Sequence, residues 1–245
     1  MVIVVDLFEA IYTRRSMRYF KKGEKIPDWK LERILDVARW APSGENMQYW
    51  KYIVIRDQEV KRWIADISEE TATMVVGRDP WEVTQDRQWF MPEDLRLYAF
   101  DGFTKVLRYP EDADVVIIPC ITPADVDYPA GMGEAAYHPY VGIGAGIQNM
   151  WLAATALGVG CGFNAVAAAD TRRSEELFDY LGIPRSVKPI TALCLGVPAM
   201  LRAAAPSRYP LESIVYEEVW GNPYRRLDYR EKKAEKEVSA ISATR

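Results

Sequence analysis

Apolar residues recur at helical spacing early in the chain, at Leu7, Ala10 and Ile11 and again at Leu31, Ile34, Leu35 and Ala38. This spacing predicts two amphipathic helices. The second ends at Trp40, ahead of a Pro42-Ser43-Gly44 turn, and Lys51-Tyr52-Ile53-Val54-Ile55 then reads as a strand. Beyond Asp57 a charged, helix-compatible segment runs to about Val76. Asp114 through Thr122 is a nearly continuous apolar run, the pattern of a buried strand, and Ile190 to Val197 is a second. Between them, Ala135 through Ala169 contains no Asp, Glu, Lys or Arg. A helix that is apolar all round is buried, either in a core or in a subunit interface. Small residues along it (Gly142, Gly146, Ala153, Ala154) would let two backbones approach closely. Glu175, Leu177, Phe178, Tyr180 and Leu181 mark a short helix ending at Gly182, with Pro184 beyond it.

Two segments break this alternation. Residues 79–110 carry Trp81, Trp89, Phe90, Tyr98, Phe100, Phe103 and Tyr109, about twice the chain's average aromatic density. Pro80, Pro92, Gly102 and Pro110 interrupt them, so no long helix is expected. Such an insert is either a lid whose rings stack on a planar substrate or a local core closed by the same rings. After Arg225 the chain turns charged, and residues 226–245 read as a solvated helix or a disordered tail.

Composition narrows the function. The chain has 245 residues, 49% hydrophobic and 27% charged, enough for a sizeable core. A net charge of −4 gives no reason to expect nucleic acid or an anionic membrane as partner. A transmembrane span in the uncharged stretch is disfavoured by Gln148, Asn149, Asn164 and the absence of basic flanks. One histidine, His138, leaves no His-rich metal site and no conventional His-based triad. Cys120, Cys161 and Cys194 make no CxxC pair, and each sits in an apolar run as a buried reduced thiol. The first residues lack a basic n-region, so a cytoplasmic address is expected.

The candidate chemistry lies in two short stretches. Arg14-Arg15-Ser16-Met17-Arg18 packs three guanidinium forks and a hydroxyl into one turn, a donor set suited to a phosphate. Basic residues also gather at helix C-termini for the dipole alone. The second stretch is Ala41-Pro42-Ser43-Gly44-Glu45-Asn46-Met47-Gln48-Tyr49-Trp50. If extended, it points Asn46, Gln48 and Trp50 to one side, where two amides can read the mixed donor and acceptor edge of a pyrimidine-like ring. The same residues also make an ordinary turn. Gly142-x-Gly144-x-Gly146 is no dinucleotide fingerprint, because no strand precedes it and the third glycine is misplaced.

In these residues the chain resembles the nitroreductase family of FMN oxidoreductases. Arg14, Arg15, Ser16 and Arg18 match the family's phosphate-binding run. Ala41, Pro42, Ser43, Asn46, Gln48 and Trp50 match its A-P-S-x-x-N-x-Q-P-W signature. Gln148 to Gly158 is similar to its long central helix, and Gly182-Ile183-Pro184 with Leu195-Gly196-Val197-Pro198 to its closing helix and strand. The resemblance implies an α+β fold, a central, mostly antiparallel sheet flanked by helices, in an intertwined homodimer. It implies one FMN-binding domain over residues 1–225, with FMN as cofactor and NAD(P)H as electron donor. The acceptor implied is a small aromatic, a nitroaromatic or quinone. Arg14, Arg15, Ser16 and Arg18 would hold the phosphate, and Pro42, Ser43, Asn46 and Gln48 would lie along the flavin. The backbone of Gly162, Phe163 and Asn164 would contact its ring. Arg208, less so Arg202, would complete the phosphate site, since Pro206 replaces a second cation there. Trp81, Trp89, Phe90, Tyr98 and Phe103 would face substrate, no metal is required, and no side chain need act as a general acid. Reductive dehalogenation, flavin fragmentation and a non-catalytic flavin-binding role are alternatives on the same fold. Tyr49 departs from the family's proline, so the start of the strand is expected to differ in shape.

Overall fold

The computed structural model describes residues 6–76, 105–122, 138–165, 172–199 and 208–224. The chain separates into two compact units, Met1–Ala203 and Ala204–Arg245. In the first, α1 (Leu7–Thr13) starts where Asp6 accepts a hydrogen bond from the Phe8 N–H, which satisfies one of the open N-terminal donors. α2 (Asp28–Ala38) follows Pro27. Next come β1 (Trp50–Ile55) and α3 (Gln58–Val76), the latter capped by Asp57 through the Val60 N–H. The remaining elements are β2 (Val115–Ile121), α4 (His138–Ala156), β3 (Gly160–Asn164), α5 (Arg172–Tyr180), β4 (Lys188–Pro189) and β5 (Ala192–Gly196). The second apolar run of the sequence, Ile190 to Val197, thus contains β5, and β4 precedes it, the two separated where Ile190 donates to the Pro119 carbonyl.

The strands form one sheet in the order β1-β2-β5-β3, with β4 also paired to β2, and every pairing is antiparallel. All seven residues of β2 are buried, and strand alternation explains why. Val115, Ile117 and Ile121 point into a core shared with α2 and α4, together with Leu193 and Leu195 of β5. Val116, Ile118 and Cys120 point to the other face, with Ala192 and Cys194, under α3 and α5. A sheet covered on both faces needs apolar residues at successive positions, the pattern read as continuous runs.

The central helix α4 is less enclosed than its composition suggests. Gly142, Ile143, Gly146, Ile147, Met150 and Ala154 are buried, but Tyr140 and Val141 are exposed. The close approach expected of its glycines occurs within the chain. A Cβ on Gly142 would lie 3.0 Å from the Pro42 carbonyl, and one on Gly146 would lie 3.1 Å from that of Ala38. Among the described residues, no helix is long and apolar enough to cross a membrane. In the second unit, Leu211–Ser213 forms a short 3-10 turn and Tyr216 bridges Pro223. The tail at 226–245 lies outside the described residues.

Candidate functional site

After α1 the backbone turns extended at Arg14 (φ −54°, ψ 130°) and runs along the open edge of β3. The Met17 N–H donates to the Cys161 carbonyl at 2.9 Å, and Lys21 and Ala199 continue the contact to the end of β5 through Val197 and Tyr19. Gly162 permits this approach. A Cβ there would collide with the Met17 carbonyl and come within 2.7 Å of the Tyr109 ring. The glycines around β3 therefore admit another segment of the same chain.

The turn at residues 14–18 gathers the predicted cations. The Arg14 guanidinium lies 4.2 Å from the centroid of the Trp151 ring. Arg15 folds back so that Nη1 donates to the carbonyls of Tyr12 and Arg14, both at 2.8 Å, closing the end of α1. Ser16 is half-buried in the same turn. The Nε atoms of Arg15 and Arg18 are buried and have no hydrogen-bond partner. A buried donor without an acceptor costs about 1–3 kcal/mol, more when charged. Two of them in one turn fit an anion. The Tyr109 hydroxyl is likewise buried and unpartnered, and burial pushes its pKa far above the ordinary phenol range, opposed in part by Arg18.

Trp151, on α4, was not singled out by the sequence. Its Nε1–H donates to the Arg15 carbonyl at 3.3 Å, and its ring lies parallel to Phe163, 3° apart in plane with centroids separated by 6.0 Å. It is the one tryptophan in the uncharged stretch from Ala135 to Ala169, a signal the sequence did offer.

The three β3 residues differ in what they present. Cys161 turns its carbonyl outward to Met17. By strand alternation Phe163 presents its N–H and C=O to that same open edge, while Gly162 and Asn164 face β5. Asn164 is buried: its carbonyl accepts from Thr191 Oγ1 at 3.0 Å, and its Nδ2 donates to Ser68 Oγ and the Leu107 carbonyl. Its amide thus ties β3 to α3 and to the segment entering β2.

Residues 44–48 are not extended, which corrects the alternation expected for Asn46, Gln48 and Trp50. Gly44–Asn46 is a 3-10 turn, and Glu45, Asn46 and Gln48 all have positive φ (51°, 57° and 52°). Ser43 Oγ accepts from the Gln48 N–H at 3.1 Å, and the Gln48 amide donates to the Asn46 carbonyl at 3.2 Å. Tyr49 accounts for part of this geometry. A residue before proline is confined to the extended region, so tyrosine frees Gln48 to turn left-handed. Tyr49 itself is buried, and its carbonyl accepts from the Thr122 N–H at 2.7 Å. Pro42, Asn46 and Gln48 are exposed and Ser43 is half-buried, whereas Trp50 is core. This loop touches α4 at Gly142 and the arginine turn touches it at Trp151. Nine residues of helix place the two stations about 14 Å apart along its axis.

Arg208 is exposed in the second unit. Arg202, Trp81, Trp89, Phe90, Tyr98 and Phe103 lie outside the described residues. Of the insert's rings, Tyr109 is described and belongs to the core beneath β5. All three cysteines are buried free thiols, and burial raises Cys120 to about 11 and pushes Cys161 and Cys194 well above the ordinary thiol range. Among the described residues, no cluster of His, Cys, Asp and Glu could hold a metal.

Residues 11–197 match the model of the nitroreductase family. A protein of Archaeoglobus fulgidus, named provisionally as an NADH dehydrogenase/NAD(P)H nitroreductase, is 27% identical over 79% of this chain and 86% of its own length. A BluB-like flavoprotein of Clostridium difficile is 25% identical over 87% of this chain and 99% of its own, with a TM-score of 0.63. The NADPH:FMN oxidoreductase of Vibrio harveyi, solved with NAD+, shares the fold with a TM-score of 0.64 at 20% identity. That similarity spans 96% of this chain and 85% of the other.

Proposed function

We propose, from the premise that the chain belongs to the nitroreductase family, that it is an FMN-dependent oxidoreductase acting on a planar oxidised acceptor, a nitroaromatic or a quinone. When bound, FMN supplies the redox relay between NAD(P)H and that acceptor; the protein supplies position and electrostatics. The observation that carries this reading is the pair of buried guanidinium nitrogens, Arg15 Nε and Arg18 Nε, that lack protein acceptors. Arg14, Arg15, Ser16 and Arg18 hold the phosphate. Pro42, Ser43, Asn46 and Gln48 flank the flavin from the exposed left-handed loop. Phe163 offers the outward N–H of β3 as the backbone donor toward the ring. The aromatic insert at 79–110 provides the substrate side, and a second copy of the chain completes a homodimer. Three free buried thiols suit a reducing cytoplasm.

The absorption spectrum of the purified protein, followed by FMN titration of the apoprotein, tests the cofactor. Arg18→Ala is expected to weaken FMN binding about tenfold, the size of one lost charge-assisted hydrogen bond. A change below about twofold counts against the assignment. Oxidation of NADH and NADPH in the presence of menadione or a nitroaromatic then tests the reaction. A yellow, FMN-loaded protein without turnover would favour a binding role instead.

A further inference from the structure

Trp151 touches the arginine turn at two points and β3 at a third. Its ring carries the Arg14 guanidinium 4.2 Å from the centroid, its Nε1–H holds the Arg15 carbonyl at 3.3 Å, and it lies parallel to Phe163. The first two contacts act on the turn itself. A guanidinium resting on an indole face is held by the ring quadrupole, more strongly where both are partly desolvated, and Trp151 is half-buried. An arginine already ordered on such a face loses less freedom when it closes on an anion. The indole N–H fixes the carbonyl between Arg15 and Ser16, which sets the direction of the backbone carrying the other donors. Trp151 sits on α4, whose neighbouring Met150 and Ala154 are fully buried, so the platform is rigid.

We infer that Trp151 is a positioning residue: it presets the Arg14–Arg18 turn for the phosphate end of the flavin and so sets a preference for FMN over riboflavin. The inference rests on the FMN reading above. Riboflavin shares the ring and ribityl chain of FMN but lacks the phosphate, so it separates the two roles Trp151 can have. A residue that only fills space weakens both ligands alike, whereas one that presets the turn weakens FMN selectively.

Dissociation constants for FMN and riboflavin are measured by flavin fluorescence on the apoprotein, for the wild type, Trp151→Leu, Trp151→Phe, Arg14→Ala and the Arg14→Ala/Trp151→Leu pair. Trp151→Leu is expected to weaken FMN about five- to tenfold and riboflavin less than about twofold. Trp151→Phe, which keeps an aromatic face but no N–H, falls between. The loss in the double variant is smaller than the two single losses combined, because Trp151 acts partly through Arg14. Equal weakening of FMN and riboflavin, or no weakening of either, overturns the inference. Should Trp151→Leu fail to fold, the FMN-to-riboflavin ratio in Trp151→Phe decides by the same criterion. If the wild type binds neither flavin, the FMN reading fails and the inference falls with it. If it binds FMN but the ratio is insensitive to Trp151, the inference alone fails.

Discussion

The Tyr52 hydroxyl ends against α4 with no partner: it is buried, and a Cβ on Gly146 would lie 2.8 Å from it. Burial raises this phenol from 10.0 to about 12. The folded form therefore keeps its proton more tightly than the unfolded chain does. The resulting stability is fully present below pH 10 and is lost as pH rises through about 12. Tyr52→Phe gives up no hydrogen bond and removes a desolvated hydroxyl. At neutral pH it should match the wild type or slightly exceed it, and its stability should fall less between pH 10 and 12. Urea unfolding across that range reads both, and a clear loss at neutral pH would mean the hydroxyl has a partner after all. Gly162 sits under the opposite constraint. With the Met17 carbonyl and the Tyr109 ring where a Cβ must go, Gly162→Ala should cost about 1–3 kcal/mol by overpacking. The clash would be relieved most readily by moving the arginine turn, so FMN affinity should fall together with stability, measured by urea unfolding and flavin titration.

Between elements, Arg108 joins α3 to the segment entering β2. Its Nη1 donates to Asp66 and Glu69 at 2.8 Å and its Nη2 to Glu111 at 2.9 Å. Hydrogen bonds donated to Glu111, Glu69 and Asp66, in that order of effect, hold the guanidinium pKa above its ordinary range. Arg108→Met leaves three carboxylates facing one another and should cost about 1–3 kcal/mol, less at high salt, where their repulsion is screened. Thermal melts at low and high salt check this. Arg108 gave no sign in the sequence, because two of its three partners, Asp66 and Glu69, lie 42 and 39 positions away. The strands and helices were legible where burial is regular: β2 shows both-sided burial directly as an unbroken apolar run, and α3 fills its expected span from the turn after Asp57 to Val76. The loop before β1 was not legible. Its shape depends on consecutive left-handed residues and on Tyr49 replacing a proline, neither of which hydrophobic spacing records. The arginine turn was visible as residue types, but Trp151 reaches it across 136 positions, a distance at which local pattern carries nothing.

At the scale of the molecule, two helices of the first unit carry several of the exposed apolar side chains. Leu7, Phe8 and Tyr12 on α1 are 59%, 64% and 69% exposed, and Tyr140 and Val141 on α4 are 51% and 63% exposed. Single exposed apolar residues are ordinary, but several on two helices that pack together are the composition of an interface core. A second copy covering them would also exclude water from the neighbouring arginine turn, where weaker screening strengthens every contact to phosphate. Sedimentation should therefore give twice the 28.0 kDa of one chain. Val141→Glu places a charge at an exposed position on α4 that is not among the proposed cofactor residues, so folding should survive while dimerisation is lost. If FMN affinity falls with it, the site is built between copies. A folded, monomeric Val141→Glu protein that still binds FMN as tightly as the wild type would mean that one chain suffices, and that the apolar face serves assembly alone.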